Sequence, residues 1–366
     1  MVTMNILSRS QFKVKSKIFL TILLALGLGD ISSSRLLQAA TGTIQPQFHV
    51  KDQWNIGGKG GWGFLVLDAP AHRLYIPRTN RVMVVDTGTG KVIGEVEEMK
   101  NIRDIALDDS GKYGYVTDPT DGSEGFVRVF DRDTLKIVAS IPTGGVPAAI
   151  VFDSFTKSVV AFNSRGRSAT IIDTAADQVT ATIPLSGRPG SAVADGNGTV
   201  FVSLPATGEI LRIDAAVRKV AMSWQLAPCT GPRSLALDNA DHQLFTTCEN
   251  RKLVTVNVET GHVTAVADVS SNSGDIDYDP THKLLFVADA IGTLSIYRRD
   301  SSSLRYSCIQ QVKTQQGART MIVNRNESKA YLVTSQFGQN TSSVSEELQF
   351  RPTPIPGTFS VIVVGR

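Results

Sequence analysis

From residue 48 to its end the chain runs as short apolar stretches broken by polar turns. The segment SGKYGYVTDPTDG, residues 110–122, shows the form. Ser110-Gly111 precedes it, aromatic, small and β-branched residues alternate from Tyr113 to Thr117, and Asp118-Pro119 follows. That pattern predicts one short strand between two turns. The same phrase returns along the chain. Apolar runs end at Asp68, Asp108, Asp153, Asp195, Asp238 and Asp279, and with Asn in place of Asp at Asn324. The steps between them are 40, 45, 42, 43, 41 and 45 residues.

Each of the seven units continues alike. A polar turn leads to a second strand (RLYIP, YGYVT, SVVAF, TVFVS, QLFTT, LLFVA, AYLVT). A loop leads to a third strand ending in a polar residue (VMVVD, VRVFD, ATIID, ILRID, LVTVN, LSIYR). Another turn leads to a fourth (KVIGEV, KIVASI, QVTATI, KVAMSW, HVTAVA, LRYSCI). No segment beyond the N-terminal leader keeps a helical apolar period. Four short antiparallel strands recurring at this interval predict propeller blades. The last unit stops after its third strand, FSVIVVGR (359–366), and an orphan strand, FHVKDQWNI (48–56), precedes the first. Pairing the two would close the ring and remove its open edges. The expected fold class is therefore all-β: a seven-bladed β-propeller of four-stranded antiparallel blades, closed by the N-terminal strand on the C-terminal blade, with 41–366 as a single domain. The recurring Asp residues are expected to start turns by side-chain-to-backbone bonding, which is a structural role.

The phrase YGYVTD, the repeat length and a leader at the N-terminus resemble the YVTN-repeat β-propellers over about residues 48–366. That bacterial and archaeal extracytoplasmic group includes YncE-like proteins. No unit carries the Gly-His and Trp-Asp pair of WD40 repeats. The resemblance implies an exported propeller, whose relatives by fold include binding proteins, surface-layer components and lactonase-like enzymes. A propeller by itself licenses no chemistry.

Composition changes this picture little, and charge changes it at one end. With 42% hydrophobic and 19% charged residues the chain is ordinary globular protein. Its net charge of +3 resides in the leader, where Arg9, Lys13, Lys15, Lys17 and Arg35 face Asp30 alone. Without residues 1–40, 32 basic residues face 33 acidic ones. A chain so near neutrality is not built for bulk adsorption to nucleic acid or membrane. Residues 1–40 read as a signal peptide cleaved between about 27 and 40. Three lysines form its basic region, and IFLTILLALGL (18–28) is an apolar core too short to span a bilayer. The alternative is an uncleaved anchor helix. Export implies a periplasmic or secreted protein, with no membrane span in the mature chain, in a compartment that permits disulfides. Of the three cysteines, Cys229 and Cys248 fall on one face of the fifth unit and are expected to pair. Cys308 lies in an outer strand and is expected to be a small buried or half-buried side chain.

In propeller register, the residue five before each anchoring Asp or Asn belongs to the mouth of the central channel. These residues are Gly63, Arg103, Ala148, Gly190, Arg233, Gly274 and Arg319. Asp104 and Asp275 follow in two units, and Trp62, Arg188 and Lys59 lie in neighbouring loops. The planar guanidinium fork suits carboxylate and phosphate, and four small positions leave room. Arg103, Arg233 and Arg319, with Trp62, Arg188, Asp104 and Asp275, are therefore the candidate site for an anionic small molecule or an acidic segment of a protein partner. The competing reading is that the arginines cap loops and pair with Asp104, Asp275 or carbonyls. The loop from about Gln336 to Thr358, with Phe337, Leu348 and Phe350, reads as a lid or as a floppy insert. GGKGGWG (57–63) precedes a strand rather than a helix, which excludes a phosphate loop, and reads as a flexible loop leading into the first blade.

Other chemistry finds no support. His72, His242 and His282 fall in turns of separate blades on the opposite face, so no metal site is expected. G-x-S-x-G and C-x-x-C-H motifs are absent. No catalytic residue or cofactor is assigned. The leading expectation is a non-catalytic binding propeller. The alternatives are a propeller enzyme, lactonase-like or a cofactor-linked oxidoreductase component, and a surface or assembly module. The enzyme predicts a channel-mouth carboxylate with a perturbed pKa.

Overall fold

A computed structural model describes residues 47–120, 124–300, 305–338 and 354–366. Within them, strands β1 to β28 in chain order form seven four-stranded antiparallel sheets, the blades of a β-propeller, with no helix. The first blade runs β2 (Val66–Asp68), β3 (Arg73–Arg78), β4 (Arg81–Asp86) and β5 (Val92–Val96), each paired with the next. Blades two to six repeat this order from β6 (Ile105–Leu107), β10 (Pro147–Asp153), β14 (Ala192–Ala194), β18 (Pro232–Asp238) and β22 (Ser273–Asp279).

The seventh blade draws on both ends of the chain. β26 (Thr320–Asn324), β27 (Lys329–Thr334) and β28 (Ser360–Gly365) are completed by β1 (His49–Asn55), antiparallel to β28. In the other six blades the fourth strand carries one extra residue, so its register against the third strand shifts. β1 shows the same shift, between Val50 and Asp52. It is thus a fourth strand in detail as well as in position, and the bulge adds local twist at each blade's outer edge.

The strand phrases follow from burial. Second strands are covered on both faces by neighbouring blades, so Ser158–Asn163 and Leu284–Asp289 are buried throughout. Fourth strands are outer edges and alternate, as in Val263–Asp268. Among the described residues the hydrophobic core is divided into seven clusters, each bridging two adjacent blades. A blade cannot bury its faces alone, so ring closure is part of folding. The seven anchoring residues do start turns: the side chains of Asp68, Asp108, Asp153, Asp195, Asp238, Asp279 and Asn324 each accept a backbone N–H two to five residues on.

Cys308 departs from expectation. It is exposed, because the register shift of its strand falls beside it and interrupts the alternation of inward and outward residues. Among the described residues no helix is long and apolar enough to cross a membrane. The leader and most of the 336–358 loop, Leu348 and Phe350 included, lie outside the described residues.

Candidate functional site at the channel mouth

The inner strands run three to seven residues, and each anchoring Asp or Asn fixes the register of the chain ahead of it. The residues five positions earlier therefore meet at one end of the ring. Gly63, Arg103, Ala148, Gly190, Arg233, Gly274 and Arg319 all line a single cavity of about 400 Å³. Trp62, Phe64, Pro189, Ser191, Pro205, Ser234, Ser273, Asp275 and Thr320 complete its walls. Of the residues singled out in the sequence, Arg103, Arg233, Arg319, Trp62 and Asp275 are brought together here. Arg188 is exposed outside the lining, and Asp104, half-buried, is not part of the lining either.

In four of the seven blades the side chain at the next position stitches the ring together. Asp104 Oδ2 accepts the N–H of Ile150 at 3.0 Å, and Asp275 Oδ2 accepts that of Met321 at 3.1 Å. Ser191 Oγ accepts from Leu235 N and Ser234 Oγ from Ile276 N, both at 3.3 Å. Each bond joins one blade to the next at the same register. Burial pushes both carboxyls up to about 7; for Asp104 the N–H groups of Ile150 and Ile105 oppose this and Asp275 adds to it. For Asp275 the Met321 N–H and Arg319 oppose, and Asp277 adds. Neither carboxyl forms a close ion pair with arginine among the described residues, although Arg319 acts on Asp275 through its charge.

Backbone contacts fix where the arginines stand. Phe64 N donates to Arg103 O at 3.0 Å, and Asp275 N to Arg319 O at 2.8 Å. This approach is so close that a Cβ on Gly63 would stand 1.9 Å from Arg103 O, and one on Gly274 2.2 Å from Arg319 O. Glycine is therefore required one blade before each of these two arginines. Their side chains remain exposed. Arg233 meets Glu249 at 3.3 Å, with side chains 45% and 55% exposed, an exposed pair that water screens. Glu249 follows Cys248, which is disulfide-bonded to Cys229, and its N–H donates to Thr230 O at 2.9 Å. The disulfide thus ties the loop leading into β18, the strand that carries Arg233, to the end of the strand that precedes Glu249.

The wall opposite is aromatic and rests on a buried arginine that sequence reasoning missed. Trp62 packs on Phe359 and Phe337 with ring centroids 5.4 and 6.4 Å apart. Arg78, 1% exposed, lies 3.7 Å over the Phe359 ring. Its guanidinium donates to the carbonyls of Gly57, Lys59, Gly60 and Gly61 at 3.0–3.3 Å. Burial lowers its pKa to about 10, and it stays charged at neutral pH. The glycine-rich loop is therefore tied down rather than flexible, and Gly60, at φ 95°, supplies a turn that other residues resist. The signal available in the sequence was an arginine at the end of the second strand that follows a glycine-rich stretch.

The chain matches no protein-family model and no curated protein sequence. Solved structures share its fold. It is similar to U3-55K (TM-score 0.71, 8% identity, 87% of this chain and 99% of that one). It is equally similar to the WD40 repeats of RRP9 (0.73, 8%, 87% and 100%). Hydrazine synthase of Kuenenia stuttgartiensis gives 0.64 at 18% identity, over 80% and 95% of the chains. At such identities the likeness is one of architecture: the protein is a seven-bladed β-propeller.

Proposed function

We propose that this protein is an exported, non-catalytic binding propeller that recognises an anion at its channel mouth. The carrying observation is that Arg103, Arg233 and Arg319, from blades two, five and seven, line one cavity of small-molecule size. Within this reading it is a YVTN-repeat, YncE-like propeller of the periplasm or cell exterior. The basic and apolar segments of residues 1–40 support export, and so does the Cys229–Cys248 bond.

A second reading, a hydrolase using Asp275 as proton acceptor, is favoured by the position of Asp275 in the cavity wall and its pKa near 7. Binding is preferred because Asp104 and Asp275 occupy the stitching position that Ser191 and Ser234 fill in other blades. Serine at that register performs the same bond without acid–base chemistry.

Native mass spectrometry of the protein purified from its source cells, with and without EDTA, tests the choice. Binding predicts a bound species of defined mass that Arg103→Ala/Arg233→Ala/Arg319→Ala loses with the fold intact. Retention of that species by the triple variant would refute it, and loss on chelation alone would point to a metal-dependent enzyme.

A further inference from the structure

We propose that the mouth selects a compact polycarboxylate whose carboxylates are spread to engage the three arginines separately. This rests on the anion-binding reading and narrows it. The arginines stand on blades two, five and seven, so the gaps around the ring are three, two and two blades, about as even as seven blades allow. No two are on adjacent blades. Gly63, Ala148, Gly190 and Gly274 stand between them and contribute no side chain beyond Cβ. A single small oxyanion at one arginine would leave the other two forks unmatched. A guanidinium pairs best with a carboxylate that faces it in its own plane.

The arginine backbones are already placed for this. The carbonyls of Arg103 and Arg319 are held by neighbouring blades, and the Arg233 carbonyl accepts from Ser203 Oγ at 3.1 Å. Only side-chain torsions remain to be ordered on binding, which limits its entropic cost. The cavity of about 400 Å³ admits a small molecule rather than a folded segment. Glu249 holds Arg233 from the rim at 3.3 Å. A ligand carboxylate competes there with this exposed pair.

Isothermal titration calorimetry with acetate, succinate, citrate and inorganic phosphate tests the proposal. Affinity is expected to rise about tenfold or more with each added carboxylate, with citrate above phosphate. Arg103→Gln, Arg233→Gln and Arg319→Gln are each expected to weaken citrate by about tenfold while sparing acetate in at least two of the three variants. Glu249→Gln, on the exposed rim, is expected to tighten citrate a few-fold. Equal affinities for acetate and citrate, both lost in the triple variant, would overturn this inference and leave the anion reading standing. Phosphate above citrate would likewise overturn it, because the three forks would then converge on one point. No binding of any of the four anions would overturn both.

Discussion

Arg78→Met removes a buried charge that, among the described residues, answers to no carboxylate ion pair and to four carbonyls. Hydrogen bonds from a charged donor contribute about 1.5–3 kcal/mol each, but the four here do not all count in full. Lys59, Gly60 and Gly61 are exposed and can recover water, whereas Gly57 is half-buried. The guanidinium stacked 3.7 Å over Phe359 adds about 1–2 kcal/mol when desolvated. Against these stands the cost of burying the charge, which methionine relieves. The balance is a loss of about 3 kcal/mol. Urea unfolding at pH 7 reads it directly. Arg78→Lys keeps the charge but has three donors and no planar fork, so about half that loss is expected. Amide exchange over residues 57–63 should accelerate in both variants. An Arg78→Met protein within about 1 kcal/mol of the parent would refute the reasoning, since the loop would then hold its shape without its donor.

Asp275→Asn tests the raised carboxyl. Its folded pKa of about 7 lies above the unfolded carboxylate range, so the native state holds the extra proton between about pH 4 and 7. This contribution to stability falls as pH rises through that window, and the full cost is present above it. The variant keeps an oxygen for Met321 N and should be more stable than the parent at pH 8, with the gap closing at pH 4; parallel pH profiles in urea would contradict this. Cys229→Ser/Cys248→Ser frees a crosslink between residues 19 apart and should cost about 3 kcal/mol in chain entropy, read by thermal unfolding of oxidised parent and variant. Gly63→Ala places a methyl against Arg103 O and should cost about 2 kcal/mol or more, together with weaker anion binding; a variant with unchanged stability would mean that the blade-one loop shifts freely.

The ring of channel-mouth residues was legible in the sequence because the anchoring Asp fixes register, and counting five residues back along a short strand leaves little freedom. Arg103, Arg233 and Arg319 were found that way, and the pairing of the two chain ends was legible from the last unit's missing fourth strand and the orphan strand before the first. Phe64, Pro189 and Pro205 were not singled out, since their place in the wall depends on loops whose course no period describes. The stitching role of Asp104 and Asp275 was hidden too. It appears only when each carboxyl is seen against an N–H of the following blade, some 46 residues away in both cases.

By itself the sequence determined the repeat, the number of blades, the turn at each anchoring residue and the closure of the ring. These follow from local turn chemistry and from the alternation of buried and exposed positions within a few residues of one another. The tertiary structure decided which charges are answered. It buried Arg78 under a loop of carbonyls, turned Glu249 rather than Asp104 or Asp275 toward Arg233, and left Cys308 in solvent beside a bulge. Desolvation and pairing depend on atoms contributed by distant segments, so they are properties of the closed ring and not of any one repeat.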